Sequence, residues 1–385
     1  MMRIAVFDYK VIPTNPIGSC HRRIIQSLCD EYEFTVFSAE FDNSLSNSKR
    51  VRWVRVPVPT RPLALLFVAY HLVAPLVYLW HCLHARVRFD LVQFVESNLS
   101  FGDISYVQFC HRAYLKQRWK EAGARGLRGF LRYVDHLLHA WMEPWSFRRA
   151  RWLVVPSQGL KRELEETYPF TRGKITVIHN PVDVERMRRP SDFDRESFRQ
   201  AYGVGPEDLV MVFVALGHFE RKGLPLILEA MKELSSPYLK LWVVGGEPDL
   251  VNVWRQRVKS MGLEGKVMFV GMQRDIRPFL WGADVFVFPS SYEAFPLVSL
   301  EAAAAGLPLI VTPIYGVEEF VRDGETGFVV ERTVEGIKEG IQRLLIIPSW
   351  ERVQMGTRAQ QAVAKYDMKS FVKNWDEFYG RQFLG

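Results

Sequence analysis

Short, almost uninterrupted apolar runs alternate along this chain with longer stretches of helical periodicity, and few folds accommodate that alternation. Strands that are apolar on both faces need a layer on each side, as in a parallel sheet covered by helices. Candidate strands in the first half are Arg3–Phe7, Phe34–Phe37, Val51–Val56, Leu91–Val95, Tyr106–Phe109 and Trp152–Pro156. In the second half they are Met211–Ala215, Lys240–Val244, Val267–Val270, Val285–Phe288 and Leu309–Thr312. Leu224–Leu234 and Pro296–Ala305 read as helices between them. Asn180–Asp194 is polar, contains proline and loses the apolar periodicity, so it reads as a linker. A length of 385 residues suits two such α/β domains. Near the end, Phe371, Trp375, Phe378 and Tyr379 recur at helical spacing, which predicts a packing face on a last helix.

The four cysteines (Cys20, Cys29, Cys82, Cys110) form no Cys-x-x-Cys pair, which argues against a disulfide scaffold and a zinc ribbon. The opening MMRIAVFDYK reads as a first strand rather than a signal peptide, and a cytoplasmic location is expected. The net charge of +7 is unevenly spread. Residues 1–190 hold 28 basic and 17 acidic side chains, whereas residues 191–385 hold 22 and 26. A basic first half attracts anionic partners: a phosphorylated substrate, lipid headgroups or nucleic acid.

Leu63–Leu83 contains no Asp, Glu, Lys or Arg over 21 residues, the length of a membrane span. It sits between two strand candidates of one sheet, and spanning would place those strands on opposite sides of a bilayer. Three readings stand: a transmembrane helix, a buried crossover helix, or a helix dipping into a membrane surface. Between Arg112 and Arg151, Lys116, Arg118, Lys120, Arg125, Arg128, Arg132, Arg148 and Arg149 are interleaved with Trp119, Phe130, Tyr133, Trp141, Trp145 and Phe147. That mixture suits an anionic membrane interface, single-stranded nucleic acid, or the solvated face of a long helix.

Chemistry concentrates in two places. In Ser290–Thr312 an apolar strand leads into an acidic loop. Pro296 is then placed as the first residue of a helix that Gly306 ends. Unpaired amides at Leu297 and Val298 would form an anion site. Glu301 would lie roughly 7–8 Å along the helix axis, and Glu293 on the other side of the anion site. In Val214–Met231 a strand ends at a Gly217 loop, and Arg221-Lys222-Gly223 precede a helix. Two adjacent cations at such a turn can hold a diphosphate. The order Lys222-Gly223 is not that of a Walker A loop, so an NTPase is not indicated.

These segments resemble the family-4 retaining glycosyltransferases of GT-B fold. The resemblance rests on Gly217 through Gly223, on Glu293 and Glu301 separated by seven residues, and on VVPSQGLKREL, VIHNPVDVERM and VRDGETGFVV. It implies two Rossmann-like domains facing across a deep cleft: residues 1–185, joined by a returning C-terminal helix (366–385), for the acceptor, and 195–365 for the nucleotide-sugar donor. Arg221 and Lys222 would contact the donor diphosphate, Glu301 the ribose, and Glu293 the transferred sugar. Amides around Phe295, Pro296, Leu297 and Val298 would touch sugar and phosphate. The base would sit near Gly271–Arg274, beside Met272. A first-domain loop, Pro16-Ile17-Gly18-Ser19, would approach the diphosphate, and Ser19 departs from the family's second glycine there. Asn180-Pro181 replaces a commoner Asn-Gly. His111 matches a histidine that faces the transferred sugar.

The implied reaction is sugar transfer from a nucleoside diphosphate (UDP favoured) to a hydroxyl of a lipid-linked or anionic glycan, lipopolysaccharide above all. The enzyme would act without metal, peripheral on the inner face of the plasma membrane. His136 and His139, three apart on a helix, show no third metal ligand in the sequence, and Asp192-Phe193-Asp194 in the linker imitates a metal motif of another transferase fold. His21 reads as a capping residue. The competing readings are a nucleotide-sugar epimerase and a nucleic-acid-binding protein; the second leaves Arg221, Lys222, Glu293 and Glu301 without a role.

Overall fold

The computed structural model describes residues 1–122 and 126–384. Arg125 and the side chain of Arg128 lie outside that description. The chain divides into two units, one built from residues 1–119, 126–181 and 369–384, the other from residues 120–122 and Val182–Met368.

The first unit is organised by a seven-stranded parallel sheet. Its strands are β1 (Arg3–Phe7), β2 (Glu33–Ser38), β3 (Val51–Arg55), β4 (Leu91–Val95), β5 (Ile104–Tyr106), β6 (Trp152–Val155) and β7 (Ile175–Val177), in the order β3-β2-β1-β4-β5-β6-β7. β1 and β4 are buried almost throughout, which explains their largely apolar character; the one polar side chain within β4, Gln93, is hydrogen-bonded. The strand expected at Tyr106–Phe109 lies earlier, at Ile104–Tyr106. Its register is set by Gln93–Val95 of β4 and Trp152–Val154 of β6. β7 escaped sequence reading because it has three residues, all half-buried at the sheet edge.

Helix α1 (Pro16–Leu28) follows β1, and α2 (Leu63–Ala85) carries the chain from β3 to β4. Helices α3 (His111–Gln117) and α4 (Gly126–Arg149) lie between β5 and β6. The last helix, α7 (Met368–Leu384), buries its aromatic stripe in this unit. Trp375 meets the Tyr106 ring edge-on at 5.3 Å, and the Tyr32 hydroxyl donates to Asp376 at 2.7 Å.

α2 is buried along one face only. Leu66, Phe67, Tyr70, Ala74 and His81 face inward, and the Tyr70 hydroxyl donates to the Phe37 carbonyl at 2.6 Å. The opposite face, from Leu65 to Leu83, is exposed and still apolar. Each leucine left there, 50–75% exposed, forgoes part of the about 1.5–3 kcal/mol that full burial of its side chain would contribute.

The second unit repeats the topology. Its strands β8 (Leu209–Val214), β9 (Leu239–Val244), β10 (Val267–Gly271), β11 (Val285–Phe288), β12 (Leu309–Val311) and β13 (Gly327–Val329) run parallel in the order β10-β9-β8-β11-β12-β13. Helix α5 (Leu224–Leu234) follows β8, and α6 (Leu297–Ala304) follows β11. The segment read as a linker is partly ordered into short helices. Asp194 caps one of them by accepting from the Ser197 amide at 3.0 Å, which gives the Asp-Phe-Asp triplet a structural role.

Candidate functional site

In an open parallel sheet, ligands bind at the carboxyl ends of the strands where the strand order reverses. In the second unit that point lies between β8 and β11. The loop after β8 carries Gly217 and His218 and leads into a short helix, Phe219–Lys222. The loop after β11 carries Ser290 through Phe295 and ends at α6. The two loops touch because Gly223, at φ 89°, has no side chain: a Cβ there would lie 2.2 Å from the Pro289 carbonyl oxygen. The Ser291 amide donates to the Arg221 carbonyl at 2.9 Å and completes the join.

This join brings together three of the four charged residues singled out in the sequence, Arg221, Lys222 and Glu293. Lys222 Nζ donates to Glu293 Oε1, and Ser290 Oγ donates to the same oxygen at 2.8 Å. Arg221 Nη1 donates to the Tyr292 carbonyl at 2.5 Å and lies 3.4 Å from Glu293 Oε1. All three partners converge on Oε1, so among the described residues Oε2 is left for a ligand. Burial pushes the Lys222 ammonium down to about 8 despite the Glu293 carboxylate beside it. Burial also works against the Glu293 carboxylate, but Lys222 and Arg221 outweigh it and hold the carboxyl below its usual range. Behind the pair, Arg332 Nε donates to the Pro289 carbonyl at 3.1 Å and braces the loop.

Pro296 is the N-cap of α6 rather than its first helical residue, and no side chain caps the helix. Its carbonyl accepts from Ser299 and Leu300. Among the described residues the Leu297 and Val298 amides have no acceptor, as a first helical turn leaves them. Glu301 is therefore the fifth helical residue, about 6 Å from the helix start rather than 7–8 Å. Phe295 is buried against Tyr366 with ring centroids 5.3 Å apart, so it contributes backbone and shape rather than an open ring. Met272 follows β10 and is 48% exposed, next to Gly271 at φ 75°. The arrangement offers two cations, the Glu293 carboxylate and helix amides, with Glu301 just over one turn into α6, which suits a diphosphate flanked by hydroxyl-bearing groups.

The first unit has the same reversal between β1 and β4, and different groups occupy it. Pro16, Ile17, Gly18 and Ser19 form the first turn of α1 rather than a loop, because Asn15 caps the helix by accepting from the Gly18 amide at 2.8 Å. Gly18 sits against the chain: a Cβ would lie 1.8 Å from the Lys10 carbonyl oxygen. His21 is buried between Asp8 Oδ2 at 2.8 Å and the Gln93 amide at 2.8 Å. The Tyr379 hydroxyl of α7 donates to Gln93 Oε1 at 2.7 Å, which fixes that amide and leaves His21 Nδ1 to donate to Asp8.

His111 begins α3 and is 6% exposed. Its Nε2 lies 3.2 Å from Glu96 Oε2 and its Nδ1 2.9 Å from His136 Nδ1. Its ring stacks on His139 at 4.2 Å. Both ring nitrogens are thus engaged inside the unit, and facing a sugar would require displacing Glu96 or His136. Burial disfavours the His111 cation, but Glu96 more than compensates, so its pKa is raised. Burial drives His139 well below the usual histidine range.

Sequence spacing left His136 and His139 without a third metal-type donor. The fold supplies a different set: Glu96, His111 and His139 place ligand atoms within 4.8 Å of one another. Glu96, at φ 49°, holds a strained backbone at the carboxyl end of β4, a signal that only the structure gives. Asp135 was also missed. Burial raises it to about 6, and it lines a cavity of about 830 Å³ with Lys10, Arg61, Leu63, Leu131 and Arg132.

Comparison with known proteins identifies the family. Residues 194–362 match the family model for glycosyl transferases group 1, and residues 21–186 match that for Glycosyltransferase Family 4. The lipopolysaccharide core biosynthesis glycosyltransferase LpsE of Rhizobium meliloti is 38% identical over 194 residues, 50% of each chain. The alignment thus spans about half of that relative's length. The sucrose-phosphate synthase of Thermosynechococcus elongatus superposes with a TM-score of 0.80 at 18% identity, covering 100% of both chains. HepE of Anabaena, solved with UDP and glucose, superposes at 0.71 with 18% identity, covering 99% of this chain and 100% of its own. With each half matched by its own model and the α/β architecture reproduced throughout, the chain belongs to the family-4, group 1 glycosyltransferases and has the GT-B fold.

Proposed function

We propose that the chain transfers a sugar, with retention, from a nucleoside diphosphate to a hydroxyl of a lipid-linked or anionic glycan in the synthesis of lipopolysaccharide or another surface polysaccharide. UDP is the favoured carrier, and the enzyme works at the cytoplasmic face of the membrane that bears its acceptor. The observation that carries this reading is the join of Arg221, Lys222 and Glu293 at the strand-order reversal, beside an α6 start with no side-chain cap.

The chemical difficulty is the departure of a diphosphate while the sugar becomes oxocarbenium-like. Arg221, Lys222 and the Leu297 and Val298 amides stabilise the leaving group, the task a metal ion performs elsewhere, so no metal is required. Glu293 Oε2 accepts from a sugar hydroxyl and Glu301 from the ribose. With Glu293 Oε1 held by Lys222 and Ser290, this carboxylate orients the sugar rather than attacks it. Attack then comes from the face that the diphosphate leaves, and the departing phosphate takes the acceptor proton. LpsE, named for lipopolysaccharide core biosynthesis, supports the acceptor class, and the HepE complex with UDP supports the base.

Calorimetric titration of UDP, GDP and ADP, in buffer containing EDTA, tests the donor site. One nucleotide binds in the micromolar range, and Lys222→Ala weakens it at least tenfold, as expected for a lost charge-assisted hydrogen bond of about 1.5–3 kcal/mol. A folded sample that binds none of the three ends this reading. Donor turnover without any acceptor would instead point to an epimerase.

A further inference from the structure

We infer that α2 and α4 together form a docking surface that seats the protein in the plane of a bilayer containing anionic lipid. The inference rests on the reading of a membrane-borne acceptor and adds where, and how, the chain meets that membrane.

On α2, Leu65, Val68, Leu72, Leu76, Leu79 and Leu83 are all exposed, at spacings of three or four residues. They form one stripe about 27 Å long. On α4, which packs beside α2, Phe130, Leu137, Trp141 and Trp145 are exposed in the same manner. The two helices adjoin where Leu63 and Leu131 line one cavity and where the Phe67 ring meets His139 at 4.4 Å. Soluble surfaces rarely leave so much contiguous apolar area uncovered.

Charge identifies the occupant. From Arg61 to Arg88 the chain has no Asp or Glu, and exposed Arg61, Arg86 and Arg88 flank the α2 stripe. The acids of α4, Asp135 and Glu143, are both buried, while Arg148 and Arg149 at its end are exposed. The surface is therefore apolar with a cationic margin. A second copy would bring like charge against like charge, whereas anionic headgroups complement the margin and acyl chains accept the leucines. Exposed Trp80, Trp141 and Trp145 suit the headgroup level.

The helix lies in the membrane plane rather than across it. Its other face is held to the sheet through Tyr70, and its two ends enter β3 and β4 of the same sheet.

Sedimentation of the full chain with phosphatidylcholine vesicles, with or without 30% phosphatidylglycerol, tests the surface. Partition should be at least tenfold greater onto the anionic vesicles. Leu72→Glu/Leu76→Glu, at positions 66% and 65% exposed, should lower it at least tenfold with an unchanged Tm. Arg86→Ser/Arg88→Ser should remove most of the anionic preference. UDP titration of the same samples separates the two readings: the leucine variant should bind nucleotide like wild type. If no sample binds UDP, the donor reading fails and the vesicle result still stands. Equal partition of the leucine variant and wild type would overturn the inference. So would wild type that stays in the supernatant, a dimer that the leucine variant dissolves, or resistance to alkaline extraction.

Discussion

The two units share a strand order and differ in what they place at its reversal. In the second unit, strand-end loops hold Arg221 and Lys222 close to the surface, 14–16% exposed with Glu293. In the first, the equivalent ends hold Asp8, His21 and Glu96, all 6% exposed or less. One reversal point presents two cations beside a carboxylate, and the other is closed into a hydrogen-bonded core. Topology therefore fixes where a site can be, while the side chains carried by a few loop residues decide whether it is one.

The comparison is broken most severely at the two glycines that bring chain against chain. Gly223→Ala should lower the stability of the second unit by about 2–4 kcal/mol, from its clash with Pro289 and its positive φ. Gly18→Ala should do the same to the first unit, through Lys10. Limited proteolysis with mapped cleavage sites should show each variant opening its own unit; the same sites appearing in both would mean that the units unfold as one.

Titration should sharpen the contrast next. With Lys222 near pH 8, its protonated fraction falls about tenfold between pH 7 and 9, and nucleotide affinity should fall by up to that factor. Lys222→Arg should flatten the profile, whereas His111→Gln, in the other unit, should leave both UDP affinity and its pH dependence within twofold of wild type. A flat wild-type profile would remove Lys222 from the diphosphate.

The smallest effect concerns stability. Asp135 titrates near 6 when folded and His111 above its usual value, so the folded state holds extra protons at both. Their contribution is full at low pH and declines as pH rises, for Asp135 between about 4 and 6 and for His111 from about 6.5 upward. Against an opposite slope from His139, which burial holds well below its usual range, these two groups should lower the Tm of the first unit by a few degrees from pH 5 to 8. Asp135→Asn should remove the lower part of that slope and His111→Gln the upper part, read by calorimetry.

The α/β class, the βα turn of Gly217–Gly223, the helix that starts near Pro296 and the family are all legible in the amino-acid order. Each rests on residues that are neighbours in the chain, where apolar runs, glycine and proline act locally. What only tertiary structure decided is of two kinds. One is pairing across long separations: Lys222 with Glu293, 71 residues apart, and Glu96 with His111 around two strand ends. The other is orientation. The middle of α2 is apolar on every side, so its composition has no polar face to mark the outside. Packing of Tyr70 and Phe67 onto the sheet chose the buried face, and the remaining leucines became a surface.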